Sequence, residues 1–502
     1  MISEKELLAL QNGSDVRGVA MAGTAGEKVT LTAEAVNRIA AAFVAFLAKK
    51  LGKKPAELTL TVGTDSRLTA AALQNEALAA ILGSGAKAVD CGMASTPAMF
   101  MSILFAETRA DGAIMLTASH LPSNRNGMKF FTRDGGLEKA EIRELLQLAG
   151  QCPPQQARLD GAAAYDLVAR YAAHLQEKIK AGIEAPDPAH PLAGMHIVVD
   201  AGNGAGGFFA SQVLAPLGAD ISGSLYLEPD GRFPNHVPNP ENPAAMAAIQ
   251  EAVLKNQADL GLIFDTDVDR MSAVLPDGQE ISRNALIAMM AAILAPDYPG
   301  STIVTDSVTS DELTVFLEQG LGLKPHRYMR GYKNVIDECI RLNKAGTVSP
   351  LAIETSGHGA LSENYYLDDG AYLAVKLLIA AARMHHAGRA LGSLIAKLGY
   401  PAESREFRLA IYDTEDVHAY GDKVLAAFAQ RAAAAGIKAA QPSYEGVRLV
   451  FPQGWALLRM SLHDPNMPLN VEGREPGSIA AIVCQLRAFL SGFAALDTSS
   501  LK

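Results

Sequence analysis

Several things are scarce in this sequence, and each scarcity excludes a class. It has four cysteines in 502 residues, Cys91, Cys152, Cys339 and Cys484, with no C-x-x-C spacing among them. That excludes a zinc ribbon and a disulfide scaffold and predicts reduced thiols in a cytosol. Its longest apolar run, Ala285 to Ala295, stops at Pro296, well short of the ~20 residues a membrane span needs. The opening Met1-Ile-Ser-Glu-Lys-Glu6 lacks the apolar stretch of a signal peptide. Positive charge is in deficit too, with 44 Lys and Arg against 54 Asp and Glu and a formal net charge of −10. Such a balance argues against non-specific nucleic-acid binding, yet it leaves room for a locally basic cleft that takes a small anion. There is no low-complexity tract, no fixed-period repeat and no G-x-S-x-G turn of a serine hydrolase. The expectation is a cytoplasmic globular protein with no nucleic-acid or membrane partner and an open oligomeric state.

What is present is material for large cores, since 49% of the residues are hydrophobic, and the length suits three to four domains. Thr32 reads as the N-cap of an amphipathic helix that runs to Leu51 and is closed by Gly52. A strand over Leu58–Val62, a helix over Ala70–Gly83, a short strand over Lys87–Asp90 and the apolar run Asp111–Leu116 then give a βαβαβ pattern. This predicts a mostly parallel sheet with loops at its carboxyl ends. The pattern restarts after Gln151–Gln156, with strands at Met195–Asp200 and Ala258–Phe264, and again near Leu286, with strands at Thr302–Thr305 and Ser349–Ile353. Beyond Tyr400-Pro401 two helical stretches, Asp416–Gly436 and Pro476–Ala494, flank short strands at Gly446–Phe451 and Gly454–Met460, as in a smaller antiparallel α+β domain. The predicted class is α/β: three consecutive mixed or parallel-sheet α/β domains (residues 1–155, 156–285 and 286–400) plus a C-terminal α+β domain (401–502) around a central cleft.

The polar loops that follow these strands carry the chemistry. Thr117-Ala-Ser119-His120-Leu-Pro122 turns sharply at a strand end, where ligands bind in open α/β sheets, with Asn126-Gly127-Met-Lys129 close behind. Ser119 reads either as a cap or ST-turn or as a nucleophile with His120 and Lys129 as acid/base neighbours. Gly63-Thr-Asp-Ser-Arg67 reads as a loop that holds phosphate or caps the next helix, and Arg17 stands in a Gly-bounded turn, Ser14–Gly18. Asp265, Asp267 and Asp269 alternate at another strand end, followed by Arg270. Three carboxylates so placed repel one another, and hard oxygen ligands suit Mg²⁺, Mn²⁺ or Ca²⁺. Arg270 in place of Gly at the sixth position excludes an EF-hand. Gly202-x-Gly204-x-x-Gly207 after a strand, with Asp220 beyond it, makes dinucleotide binding an alternative, although such glycines also serve tight strand-to-helix turns. Arg327-Tyr-Met-Arg-Gly-Tyr-Lys333 supplies cations around a glycine. Glu354-Thr-Ser356-Gly-His358 offers an acceptor, a hydroxyl and an imidazole to a hydroxyl-rich ligand, and Arg459 with Ser461 makes a plausible phosphate clamp.

Taken in order, these loops resemble those of the α-D-phosphohexomutase superfamily over essentially the whole chain. Thr117–Pro122 with Asn126, Gly127 and Lys129 matches its T-A-S-H-N-P and N-G-x-K pattern, and Asp265, Asp267, Asp269 and Arg270 match D-G-D-x-D-R. Glu354, Ser356 and His358 match the E-M-S-G-H of the phosphomannomutase/phosphoglucomutase branch, and Arg459–Pro465 aligns with R-P-S-G-T-E-P. Leu121 replaces Asn and Thr266 replaces Gly without touching a ligating side chain. The last loop departs more, with His463 for Thr, Asp464 for Glu, and Pro468 where many members carry Arg. The resemblance implies an isomerase that interconverts hexose 1-phosphate and hexose 6-phosphate, of mannose or glucose, through a phosphoserine at Ser119 and a bisphosphorylated sugar. It implies one Mg²⁺ per chain on Asp265, Asp267, Asp269 and a Ser119 phosphate oxygen, and a hexose 1,6-bisphosphate activator. Arg17, Lys129 and Arg270 would surround the transferring group, with His120 or Lys129 as acid/base. Glu354, Ser356, His358, Lys333, Arg459, Ser461 and His463 would bind the hexose phosphate. A phosphoglucosamine mutase and a non-catalytic sugar-phosphate-binding paralogue are the alternatives; a dehydrogenase would leave the serine, carboxylate and Glu354 loops unexplained.

Overall fold

The computed structural model describes residues 2–23, 26–461 and 464–501. The chain divides into two compact units: residues 1–286 with 356–394, and residues 287–355 with 395–502. Among the described residues the strands form four sheets. No helix among them is long and apolar enough to cross a membrane.

In the first unit, helix Ala33–Leu51 begins at Thr32, whose side chain accepts the Ala35 N–H, and ends at Gly52 in the left-handed region (φ 64°), as the sequence predicts. Its buried stripe of Val36, Ile39, Ala40, Phe43 and Leu47 joins Leu60, Val62, Ile114, Leu116 and Phe130 of the sheet in one apolar cluster. Strands Lys87–Met93, Thr59–Thr64 and Gly112–Leu116 lie parallel in that spatial order. The sheet is mixed rather than mostly parallel, because Arg125–Thr132 pairs antiparallel with Gly112–Leu116, and Asp15–Val19 antiparallel with Arg125–Thr132. Arg17 therefore stands on a strand, not in a turn. A second sheet of this unit sets Ile197–Asp200 parallel to Leu260–Phe264 and Met271–Val274 antiparallel to it.

In the second unit, strands Lys324–Arg327, Thr302–Thr305 and Leu351–Ile353 lie parallel in that order. Its other sheet is antiparallel, and two strands beyond those predicted, Glu403–Ala410 and Asn466–Gly473, pair over eight residues each. Pro468 obscures the second of these in the sequence, since proline has no N–H to give a ladder. It is tolerated because the neighbouring strand Gly454–Leu458 ends its pairing at Leu469, one residue away. Helices Val417–Ala434 and Ser478–Phe489 contribute Val424, Phe428, Ile482 and Leu486 to the core of this sheet.

Candidate active site

Ser119 is delivered by a strand buried along its whole length, Gly112–Leu116. Its loop is clamped from the Asp65–Arg67 turn. The fully buried Arg67 guanidinium donates to the carbonyls of Pro122 (2.7 Å), Arg125 (2.9 Å), Leu121 (2.7 Å) and Ser119 and pairs with Asp65 (3.2 Å). Thr117 Oγ1 donates to Asp65 Oδ2 (2.7 Å) and accepts the Ser119 N–H (2.9 Å). The Asp65–Arg67 turn, read from the sequence as a phosphate loop or helix cap, thus holds the serine loop instead. Ser119 adopts φ 50°, a conformation that non-glycine residues avoid and that a functional site often stores. Gly127 permits the tight packing beside it, since a Cβ there would lie 2.6 Å from the Thr117 carbonyl oxygen.

The carboxylate loop follows another fully buried strand, Leu260–Phe264. Val268, at its apex, has φ 67°, a strained conformation for a β-branched residue. The glycines of the G-x-G-x-x-G stretch explain themselves here. Gly204 lies against the Thr266 backbone, where a Cβ would come within 2.7 Å of its carbonyl oxygen, and the Ala205 N–H donates to that oxygen. Asp220 accepts the Ser222 N–H at 2.8 Å in a local turn.

The two loops meet. Ser119 Oγ donates to Asp265 Oδ2 (2.9 Å), accepts from Arg270 Nη2 (2.8 Å) and lies 3.3 Å from His120 Nδ1. Arg270 also donates to His120 Nδ1; a guanidinium only donates, so this nitrogen accepts and the ring proton sits on Nε2. Lys129, reached through the Met115–Lys129 register, binds Asp269 and lies 3.4 Å from Asp267. Thr96, which the sequence did not single out, donates its N–H to the Asp267 carbonyl (2.9 Å) and its hydroxyl to the Asp267 carboxylate; only its place at the start of a Ser95-capped helix hints at this. His358 closes the cluster, with Nε2 3.7 Å from Asp269 and 3.8 Å from Asp368 and Nδ1 2.9 Å from Ser356 Oγ. Arg17 pairs with Asp15 at 2.9 Å on the strand beside that of Lys129.

Asp265, Asp267 and Asp269 are fully buried, and one oxygen of each lies within 4.8 Å of the others. Among the described residues Asp267 Oδ1 and Asp269 Oδ1 have no hydrogen-bond partner. Three converging carboxylates, two of them with an oxygen that no hydrogen bond satisfies, fit a divalent cation such as Mg²⁺. Burial, then Asp269, pushes the Asp265 carboxyl well up; burial also acts on Asp269, but Lys129 and Arg270 hold it below the usual range. Burial and the charges of Arg270 and Arg17 press His120 down to about 2, and burial with Arg270 and Lys129 keeps His358 neutral as well.

In the second unit Glu354 ends the buried strand Leu351–Ile353 and accepts the Gly331 N–H at 2.6 Å. Burial and the neighbouring Asp306 push it up to about 8. Lys333 pairs with Asp337 on its own helix (2.6 Å), and Ser461 Oγ accepts the Asp464 N–H (3.2 Å). Arg459 is buried, 3.6 Å from Glu445. His463 lies outside the described residues.

Family models for the α/β/α domains I, II and III of phosphoglucomutase/phosphomannomutase match residues 9–149, 169–278 and 282–399 in order. The chain is 29% identical to the phosphomannomutase/phosphoglucomutase of Pseudomonas aeruginosa over 417 residues, 83% of this chain and 84% of that one. It is 27% identical to the phosphoglucomutase of Neisseria meningitidis over 468 residues, 92% and 94% of the two chains. The crystal structure of a phosphoglucomutase/phosphomannomutase family protein from Burkholderia thailandensis superposes with a TM-score of 0.78 at 25% identity, covering 98% of this chain and 99% of that one. With three domain models matched in sequence and the architecture shared from end to end, the chain belongs to the phosphoglucomutase/phosphomannomutase family of α-D-phosphohexomutases.

Proposed function

We propose that this chain interconverts hexose 1-phosphate and hexose 6-phosphate, of glucose and mannose, by storing a phosphoryl group on Ser119. The observation that carries the reading is the setting of Ser119 Oγ, held on a strained turn between the Asp265 carboxylate and the Arg270 guanidinium. In the forward step the phosphoserine P–O bond breaks, a new P–O bond forms to the free sugar hydroxyl, that hydroxyl's proton passes to a base, and the freed Ser119 Oγ takes up a proton. The other sugar P–O bond of the bisphosphate then breaks as its phosphoryl group returns to Ser119, whose hydroxyl gives up its proton while the freed sugar oxygen gains one. Phosphoryl transfer of this kind rests on positioning and charge neutralisation. Arg270, Lys129 and Arg17 supply fixed positive charge around Ser119, and His120 or Lys129 moves the proton. Asp265, Asp267 and Asp269, with a phosphate oxygen on Ser119, would hold Mg²⁺, which when bound neutralises charge developing on the transferring group.

In this reading residues 1–155 carry the phosphoserine, 156–285 the metal loop, 286–400 the sugar loop and 401–502 the distal phosphate loop of a cytoplasmic enzyme. Glu354, Ser356 and His358 grip sugar hydroxyls, and Lys333, Arg459, Ser461 and His463 serve the non-reacting end. Glucose and mannose differ only at C2, so a loop that grips O3 and O4 takes both. The test is turnover of glucose 1-phosphate and mannose 1-phosphate with Mg²⁺ and a hexose 1,6-bisphosphate primer. Comparable rates are expected. No turnover of either would overturn the reading, and strict preference for glucosamine 1-phosphate would move the chain to another branch.

A further inference from the structure

The anion that faces Arg459 in this structure is a carboxylate of the same unit. Glu445 Oε1 lies 3.6 Å from Arg459 Nη1, while Oε2 accepts the Ser307 hydroxyl at 2.5 Å and the Arg330 main-chain N–H at 3.0 Å. A guanidinium, a serine hydroxyl and a main-chain N–H together make the donor set of a phosphate site. The N–H belongs to a favourable place for an anion. The next one, of Gly331 (φ 114°), donates to Glu354, and helix Tyr332–Lys344 starts immediately after it, with its positive end towards this turn.

We propose that Glu445 is a built-in competitor for the distal phosphate, holding Arg459 and the Arg330 N–H until a sugar phosphate displaces it. The inference rests on the reading of Arg459 as a phosphate ligand. Two observations make the carboxylate a replaceable occupant rather than a permanent partner. Its distance to Arg459 exceeds the 2.7–2.9 Å typical of a charge-assisted N–H···O bond. Among the described residues the buried Arg459 Nε has no hydrogen-bond partner, so a group with more oxygens can satisfy both nitrogens where Glu445 does not. Burial lowers the Arg459 pKa and Glu445 only partly offsets this, the balance expected of a cation under-served by its neighbour. The loop that presents Glu445 can also leave without opening a core. Gly446 turns it (φ 61°), and the exposed Tyr444 rests against Tyr328 and His326 with ring centroids 4.8 and 5.4 Å apart.

The test is titration of the full chain with inorganic phosphate by calorimetry, comparing wild type, Glu445→Gln and Arg459→Ala. The component lost in Arg459→Ala defines the distal site, separate from phosphate bound near Ser119. In Glu445→Gln that component is expected to tighten roughly tenfold, the factor for a site self-occupied about nine-tenths of the time. The KM for glucose 1-phosphate should fall with it. Glu445→Asp keeps the charge, shortens the reach and should shift affinity the same way by a smaller factor, which covers failure of the Gln variant to fold. If Arg459→Ala weakens phosphate while both Glu445 variants bind it no tighter than wild type, the competitor is refuted and the Arg459 reading stands. If Arg459→Ala binds phosphate as wild type does, the Arg459 reading falls and takes the inference with it.

Discussion

The Ser119 region and the Glu445 region handle buried charge in opposite ways. Around Ser119 three fully buried carboxylates converge, two of their oxygens lack any hydrogen bond among the described residues, and the serine and carboxylate loops hold Ser119 and Val268 respectively in left-handed backbone. Around Glu445 each of these buried cations faces a carboxylate of its own unit, Arg459 facing Glu445 at 3.6 Å and Arg448 facing Asp311 at 3.0 Å, although Arg459 Nε has no hydrogen-bond partner among the described residues. A buried charge without a partner costs several kcal/mol. Around Ser119, Lys129 and Arg270 answer the three carboxylates in part, two cations to three anions, and the open oxygens can accept a further cation, while the counter-charge for Arg459 comes from Glu445. In the reading proposed above, the reacting end keeps carboxylate oxygens open for a cation, whereas the distal end keeps a removable counter-ion of its own.

The largest expected effect is at Ser119. Ser119→Ala should lose on the order of 10⁴-fold or more in kcat, because in the proposed cycle Ser119 is the group that accepts the phosphoryl. Intact-mass and peptide analysis should find phosphate on Ser119 in wild type. An alanine variant with full activity, or phosphate found only elsewhere, would end the phosphoserine reading.

The cation comes next. Excess EDTA should abolish turnover, and Mg²⁺ at a hundred times its Kd should add about 2.7 kcal/mol of stability by mass action. Asp267→Asn should blunt that gain, since it takes a formal charge from the triad. Undiminished activity in EDTA together with a melting temperature indifferent to Mg²⁺ would show that the unsatisfied oxygens await something else.

A smaller loss is expected when the scaffold is loosened. Arg67→Lys keeps the charge but replaces a planar fork that reaches four carbonyls with a single ammonium. We expect kcat/KM to fall about tenfold, about 1.4 kcal/mol in transition-state stabilisation, with faster amide exchange over residues 117–126. Unchanged exchange and kinetics would mean that the strand alone positions Ser119.

The same contrast governs what the sequence reveals. The Ser119 and Asp265–Arg270 loops were legible because their chemistry is contiguous in sequence and each follows an apolar run long enough to be a buried strand. The helix from Thr32 to Gly52 was legible for a similar reason: both caps are local. The clamp that Arg67 makes is not legible in the sequence, since its partners are backbone carbonyls more than fifty residues away and carbonyls leave no trace in composition. Thr96 and Glu445 leave no sequence signal because their contacts are with residues far along the chain. The strands Asp15–Val19 and Arg125–Thr132 were missed because each carries the polar residues that face the site, Arg17 and Lys129 among them. Polar residues there mask the apolar signature of a strand.

The smallest effect concerns the self-neutralised region and is read in stability. Glu472 is buried and accepts the Trp455 Nε1–H at 2.9 Å, beside the Arg448 guanidinium that lies 3.5 Å over the same indole. Burial, then the nearby Glu312, pushes its carboxyl up to about 7 despite that bond and that cation. The sign follows from which state holds the proton. Below the ordinary glutamate range both folded and unfolded chains keep it, and the contribution to stability is whole. As pH rises towards about 7 the unfolded chain ionises first, so the folded state loses ground, and above that value the loss is complete. The full swing is at most about 3 kcal/mol at 1.36 kcal/mol per unit. Glu472→Gln cannot ionise and can still accept from Trp455, so its melting temperature relative to wild type should climb between pH 4.5 and 7 and then level off. A difference that does not change with pH would mean that Glu472 is ionised throughout and that Arg448 neutralises it.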